Sequence, residues 1–316
     1  LMAQPHSKKI VKICAWFIAV FLLSAKVVSG QSNTLGSFED SICQDNDHAI
    51  FHACALETAP LEPSIQTEEG RPDFSGYWRR RAWIFEDFQA HPVTADDFGG
   101  TSGVVDPPDG LVPIQPWAAE KSRENVEIFM HHNGACLLSG PAGTMYMTSR
   151  FQFLQDDQHL IMVGEQLTAH PYRIIPLDGR PHIGDIAMWN GDPRGHWEQN
   201  TLIINSPNQN AKHLLDQRGR FITDEARITE RMSLVDQNTI HYSATFDDPN
   251  VYTRPFTIAF AFRRETDGNP EIWEEACYEN NEDQMRLFLN NGYKIYPGIT
   301  GEEARQLKTD WERRQL

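Results

Sequence analysis

The residues best equipped for chemistry crowd into positions 170–205, HPYRIIPLDGRPHIGDIAMWNGDPRGHWEQNTLIIN. This stretch holds His170, His182 and His196, the carboxylates Asp178, Asp185, Asp192 and Glu198, and the cations Arg173, Arg180 and Arg194. An imidazole titrates near neutral pH and can shuttle a proton when a carboxylate orients it. His182 or His196 with Asp192, Glu198 or, farther along, Glu230 could supply such a pair. Arg173 or Arg194 could then steady a developing enolate or carboxylate, as fixed cations do in oxyanion sites. Dehydration, isomerisation, cyclisation and ester hydrolysis of a small molecule all fit that set. Tyr172, Trp189, Trp197 and Tyr242, with His170, could hold the molecule.

The same residues also have plainer readings. Gly191-Asp192-Pro193-Arg194-Gly195 is the composition of a tight turn, and Trp197 could plug a core. His131, His132, His170, His182, His196 and His213 could ligate zinc or non-haem iron, but their spacings are irregular, so a cofactor-free reaction is the first expectation and a His-ligated metalloenzyme the alternative. GxSxG, P-loop, GxGxxG and HExxH motifs are all absent, which leaves the common hydrolase, nucleotide and zincin signatures without support.

The elements that must position these groups read as strands and turns. FQFLQ-DDQ-HLIMVGEQ, HWE-QN-TLIIN, ERMSLV-DQN-TIHYSATF and FTIAFAFRR-ETDGNP-EIWEEACY each read as a hairpin, and PDFSGYWRRRAWIF as the first strand. Residues 116–130 form the best helix candidate, and 302–316 are polar and helix-prone. Short strands without interposed helices favour an antiparallel meander that closes into a barrel or sandwich. Period-two alternation puts Glu230 on the apolar face of Ala226, Ile228, Met232 and Leu234, and Arg173 on that of Ile175 and Leu177. A buried charge needs a partner, so the two could pair structurally or face a ligand. Ile240, Tyr242, Ala244 and Phe246 share one face, as do Phe256, Ile258, Phe260 and Phe262. The small residues Thr257, Ala259 and Ala261 behind the latter leave room for an outer helix, a loop or a cavity.

Composition bounds the setting. Lys8, Lys9 and Lys12, an apolar run from Ile13 to Ala25 and Val28-Ser29-Gly30 have the order of a secretory signal peptide, and the apolar run is shorter than the roughly 20 residues of a membrane span. Without residues 1–30, which hold four lysines and no acid, 24 basic residues face 44 acidic ones, a net charge of −20. Such a chain repels phosphate backbones, so nucleic acid is not an expected partner. Cys43, Cys54, Cys136 and Cys277 then form an even set that favours disulfides in an oxidising compartment, with Cys43–Cys54 and Cys136–Cys277 the favoured pairing of three possible.

PDFSGYW, VDPPDGLVPIQPWAAEKSREN, YRIIPLDGRPH, GDPRGHWEQNTLII, ITER, DDPNVYTRPFTI and ACYENNED follow one another over about residues 72–283. In this order they resemble a family of secreted bacterial proteins whose members look like lipocalin-like β-barrels. The resemblance implies a fold and names no reaction. The chain departs from the family's Cys-Leu-Pro-Pro-Gly with Cys136-Leu137-Leu138-Ser139-Gly140, and from its Cys-His-Glu-Asn with Cys277-Tyr278-Glu279-Asn280, so position 278 carries no imidazole.

The expectation is an all-β protein, an antiparallel meander closing into a lipocalin-like, calycin-type barrel over 72–290. A signal peptide (1–30) and an extended arm (31–71) precede it, and a helical tail (291–316) follows, with one or two short peripheral helices in all. Its expected activity is acid–base chemistry on a small hydrophobic or aromatic molecule. A lipocalin-like carrier is the alternative, in either case secreted or periplasmic and monomeric or homodimeric.

Overall fold

Alternating side chains on successive strands give this chain one face to bury and one to expose, and the sheet curls around the buried face. The computed structural model describes residues 41–316 except 60, 62, 95–98, 166–170, 267, 269, 275 and 280. The leader expected at 1–30 and His170 lie outside the described residues. The helices are α1 (His48–Thr58), α2 (Pro116–Ile128), α3 (Gly140–Met147), α4 (Glu282–Asn290) and α5 (Gly301–Arg314). The strands are β1 (Gly76–Arg81), β2 (Val104–Asp106), β3 (Phe129–Met130), β4 (Arg150–Gln155), β5 (His159–Glu165), β6 (Tyr172–Pro176), β7 (Arg194–Glu198), β8 (Thr201–Asn205), β9 (Arg227–Asp236), β10 (Thr239–Asp247), β11 (Phe256–Arg264) and β12 (Lys294–Ile295).

Nine strands in the order β6-β5-β4-β1-β11-β10-β9-β8-β7 make a nearly closed barrel, and β2 continues the place of β1 along β11. The all-β barrel expected from the pattern is therefore the fold. The interior is filled: Trp78, Phe151, Phe153, Leu160, Met162, Leu202, Met232, Phe260 and Phe262 are fully buried in one continuous cluster. Helix α3 is buried at every residue, and its Tyr146 hydroxyl donates to Leu215 O at 2.6 Å.

All eight pairings along the nine strands are antiparallel. An odd number of alternating strands leaves the first and last pointing the same way, so β6 and β7 can meet only as a parallel pair. They lie side by side, joined by the 17-residue connection 177–193, and among the described residues no backbone ladder links them. Side chains close this seam instead. Ile175 and Leu177 come down on Gly195, where a Cβ would run into Leu177 Cδ2 and lie 3.1 Å from Ile175 Cγ2 and 3.2 Å from Leu202 Cδ1.

The hairpins expected at β4–β5, β7–β8 and β9–β10 are present, as are the first strand and the helices at 116 and 302. The fourth hairpin is not. β11 lies between β10 and β1, and residues 270–278 form no strand among those described. The partner that local spacing assigned to β11 is supplied by a strand some 180 residues upstream. The arm at 31–71 carries α1, with Asp47 accepting from Ala49 N and Ile50 N at its start. Phe51 and Ala55 of this helix, with Cys43, pack on Val235 and Ala261, the small-residue outer face that had room for a helix. Among the described residues five α-helices stand, where one or two short peripheral ones and a helical tail were expected.

Replacing Gly195 by alanine should push Leu177 off the seam and cost about 1–3 kcal/mol, the usual range for overpacking. A lowered thermal unfolding midpoint, beside an unchanged one for Ala substituted at Gly134, where an added Cβ meets nothing within 4 Å, is the measurement.

Candidate functional site

Across the seam, inside the barrel, Arg173 of β6 reaches Glu230 of β9. Its two terminal nitrogens donate to the two carboxylate oxygens at 2.7 and 2.6 Å, and both side chains are wholly buried. The Tyr242 hydroxyl donates to Glu230 Oε2 at 2.8 Å, and Ser206 Oγ lies 3.4 Å from Oε1. Burial opposes the charge on Arg173, but the facing carboxylate and its hydrogen bonds outweigh that and raise its pKa above the ordinary arginine range. Burial and the same carboxylate hold the Tyr242 phenol far above its usual range, so it remains an O–H donor. With four charge-assisted or hydroxyl contacts, Glu230 has no oxygen left to accept a substrate proton. The inward reading of Arg173, Glu230 and Tyr242 is correct, and their contacts are with one another.

Outside β6, along the same seam, lies a cleft of about 470 Å³. Its walls are Tyr172, Ile174 and Pro176 of β6, Leu138, and Arg180, Ile183, Met188, Trp189, Asn190 and Asp192 of the connection, up to Arg194. Asp192 knots that connection. Its carboxylate accepts from Ile183 N at 2.6 Å, Arg194 Nη1 at 2.5 Å and His182 Nδ1 at 3.2 Å. Arg194 also donates to Pro181 O at 2.8 Å and Pro193 O at 2.7 Å. Gly191 takes φ +63° with Pro207 O and Ser206 O at 2.6 and 3.1 Å from where a Cβ would stand, so glycine is required for this close turn. The tight turn expected over 191–195 stands one step earlier, at Met188–Gly191, where Gly191 N donates to Met188 O at 3.3 Å. Arg194 and Gly195 already belong to β7 because they pair with Asn205 and Ile204, and the turn forms a cleft wall. Arg180 is held by Asp178 at 2.8 Å. Each of the three arginines on the cleft, Arg173, Arg180 and Arg194, thus already faces a carboxylate.

The other expected residues scatter. His182 is 40 % exposed, with Nδ1 turned to Asp192 O at 2.9 Å, and its ring is not part of the cleft wall. His196 and Glu198 stand on the outer face of β7, 3.6 Å apart, with Glu198 paired to Arg231 at 2.9 Å. Alternation turns their neighbours Gly195 and Trp197 inward, and Trp197 stacks on Phe74 at 5.8 Å as a core plug. Trp189 and Tyr172 are on the cleft. Met188, Ile183 and Asn190 join them without having been singled out from the sequence, because isolated residues of an irregular connection carry no periodic signal.

Of the six histidines considered as ligands, the fold gathers three: the rings of His131 and His132 are 4.0 Å apart and those of His132 and His213 6.0 Å. Among the described residues no group of three or more His, Cys, Asp or Glu side chains is arranged to hold a metal ion. Cys43–Cys54 and Cys136–Cys277 are paired with Cα separations of 5.8 and 5.7 Å, within the normal disulfide range. No helix among the described residues is long and apolar enough to cross a membrane. No family model and no curated protein matches the chain.

Two outcomes follow from this geometry. Arg173→Met should cost about 3–5 kcal/mol in chemical denaturation by stranding the Glu230 charge, and adding Glu230→Leu should recover most of that loss. Acid should also unfold the protein. Burial holds His131 and His213 down at about 4 and His241, beside His52, at about 3, while an unfolded histidine titrates near 6.5. The folded state binds fewer protons in that window. Its stability is therefore full above 6.5 and falls as pH drops toward 4, which denaturant midpoints across that range will read.

Proposed function

We propose that the protein binds a small, uncharged, apolar or aromatic molecule in the cleft along the β6–β7 seam, as a binding or carrier protein. One observation carries the reading: apolar walls from Ile174, Ile183, Met188 and Trp189 surround a space of about 470 Å³ whose arginines are all neutralised by their own carboxylates. Ligand pockets of roughly 300–1,000 Å³ are mostly apolar with a few placed polar groups. A charged ligand would gain no free counter-ion there, whereas a flat neutral one gains burial against Trp189. The barrel lumen is packed, so the site lies on its side rather than in its centre. Two disulfides fit an extracellular or periplasmic setting, in keeping with the leader-like segment at 1–30.

A second reading, acid–base catalysis, has one contact in its favour. Asp192 reaches the cleft while His182 Nδ1 leans on it, the arrangement that orients an imidazole for proton transfer. Glu230, His196 and Glu198 lend it nothing, the first being saturated by Arg173 and Tyr242 and the others facing outward.

Titration with Nile red, a neutral planar fluorophore, should give saturable one-site binding that Trp189→Ala weakens about tenfold, the loss expected of an aromatic anchor. Binding indifferent to Trp189→Ala would overturn the assignment. Catalysis instead requires a reaction rate that His182→Asn abolishes. Aryl esters hydrolysed at the same background rate by both proteins leave binding alone.

A further inference from the structure

Strand β6 has a free edge, and its direction can be worked out. Gly164 N donates to Pro171 O at 2.8 Å and Leu177 N to Gln158 O at 2.7 Å. With Arg173 opposite Met162 and Ile175 opposite Leu160, the odd-numbered residues of β6 direct their main chain toward β5. Alternation turns the N–H and C=O of Tyr172 and Ile174, and the C=O of Pro176, the other way, into the seam. No β7 ladder receives them. Among the described residues the main chains of Tyr172 and Ile174 have no other hydrogen-bond partner. These same residues line the cleft.

We infer that the cleft takes its ligand as an added strand: an extended, uncharged peptide or peptide-like amide that pairs with β6 at Tyr172 and Ile174. The inference rests on the cleft being the binding site and names the class of molecule that fills it. Donor and acceptor recur here at every second residue, a spacing that only an extended amide backbone matches at more than one point. The side chains agree as well: Tyr172 is 66 % and Ile174 50 % exposed, large apolar groups on an edge that stand-alone sheets keep short, charged or covered. Pro176 has no N–H to offer, so pairing ends there. Charge adds the last restriction, since the arginines of the cleft have their counter-ions and terminal or side-chain charges on the peptide would be desolvated without return.

The test uses the whole protein, Nile red and the capped tripeptide acetyl-Val-Phe-Val-amide, together with analogues methylated at one amide nitrogen at a time. The parent should displace the dye. Methylation at the amides that face β6 should weaken displacement about tenfold or more, and at the intervening ones by less than about twofold, because only the former lose a main-chain hydrogen bond. Equal displacement by every methylated analogue, or dye binding that the parent leaves untouched, would overturn the inference while the cleft remained a binding site. Failure of the dye itself to bind would remove the cleft and the inference together.

Discussion

The constraint on which this structure turns is one of parity. Nine strands that alternate in direction cannot return to their starting point with a hydrogen-bonded antiparallel ladder, and the mismatch falls between β6 and β7. A parallel pair needs a long connection to turn the chain around, and 177–193 is that connection. Three features meet at this junction: the buried Arg173–Glu230 pair within, the cleft without, and the Asp192 knot that shapes the connecting segment. The ion pair spans the junction from β6 to β9 and replaces part of a missing ladder by two short, geometrically demanding hydrogen bonds. Buried pairs of this kind add little net stability over apolar side chains of the same size, and their better attested use is to fix register. At an edge with no backbone register of its own, that is the property required.

How much of this is legible in the sequence depends on how local the cause is. Period-two alternation is local, and it turns Glu230 inward beside Ile228 and Met232, Arg173 beside Ile175, and the phenylalanines of β11 toward the core. The same rule applied to 194–198 turns Gly195 and Trp197 in, and so sends His196 and Glu198 out. Density of titratable residues around 170–205 pointed to a reactive centre, but density follows chain position and not direction. Helix α1 was marked by Asp47 as cap and by Phe51 and Ala55 one turn apart, signals obscured by its short length and mostly apolar composition.

What could not be read is non-local. The partner of β11 is β1, and nothing near residue 264 specifies a strand at residue 76. Without that pairing the strand count, and with it the parity, is undetermined, so neither the seam nor the free edge of β6 follows from pattern alone. Placing Met188, Ile183 and Asn190 on a cleft wall likewise requires the path of an irregular connection, which is set by the contacts Asp192 makes and not by any period.

The order of the strands divides the barrel into two meanders, β4–β6 and β7–β11. On one side β1 stitches them together through ladders to both β4 and β11; on the other they meet along a line without stitches. The molecule is built like a book whose spine is its earliest strand and whose open pages touch where the cleft lies. An occupant bridging the pages would act as a clasp, and by mass action would favour the shut form over the unfolded chain. Resistance to denaturation would then depend on cargo as well as on sequence, and the emptied protein would be the more perishable one.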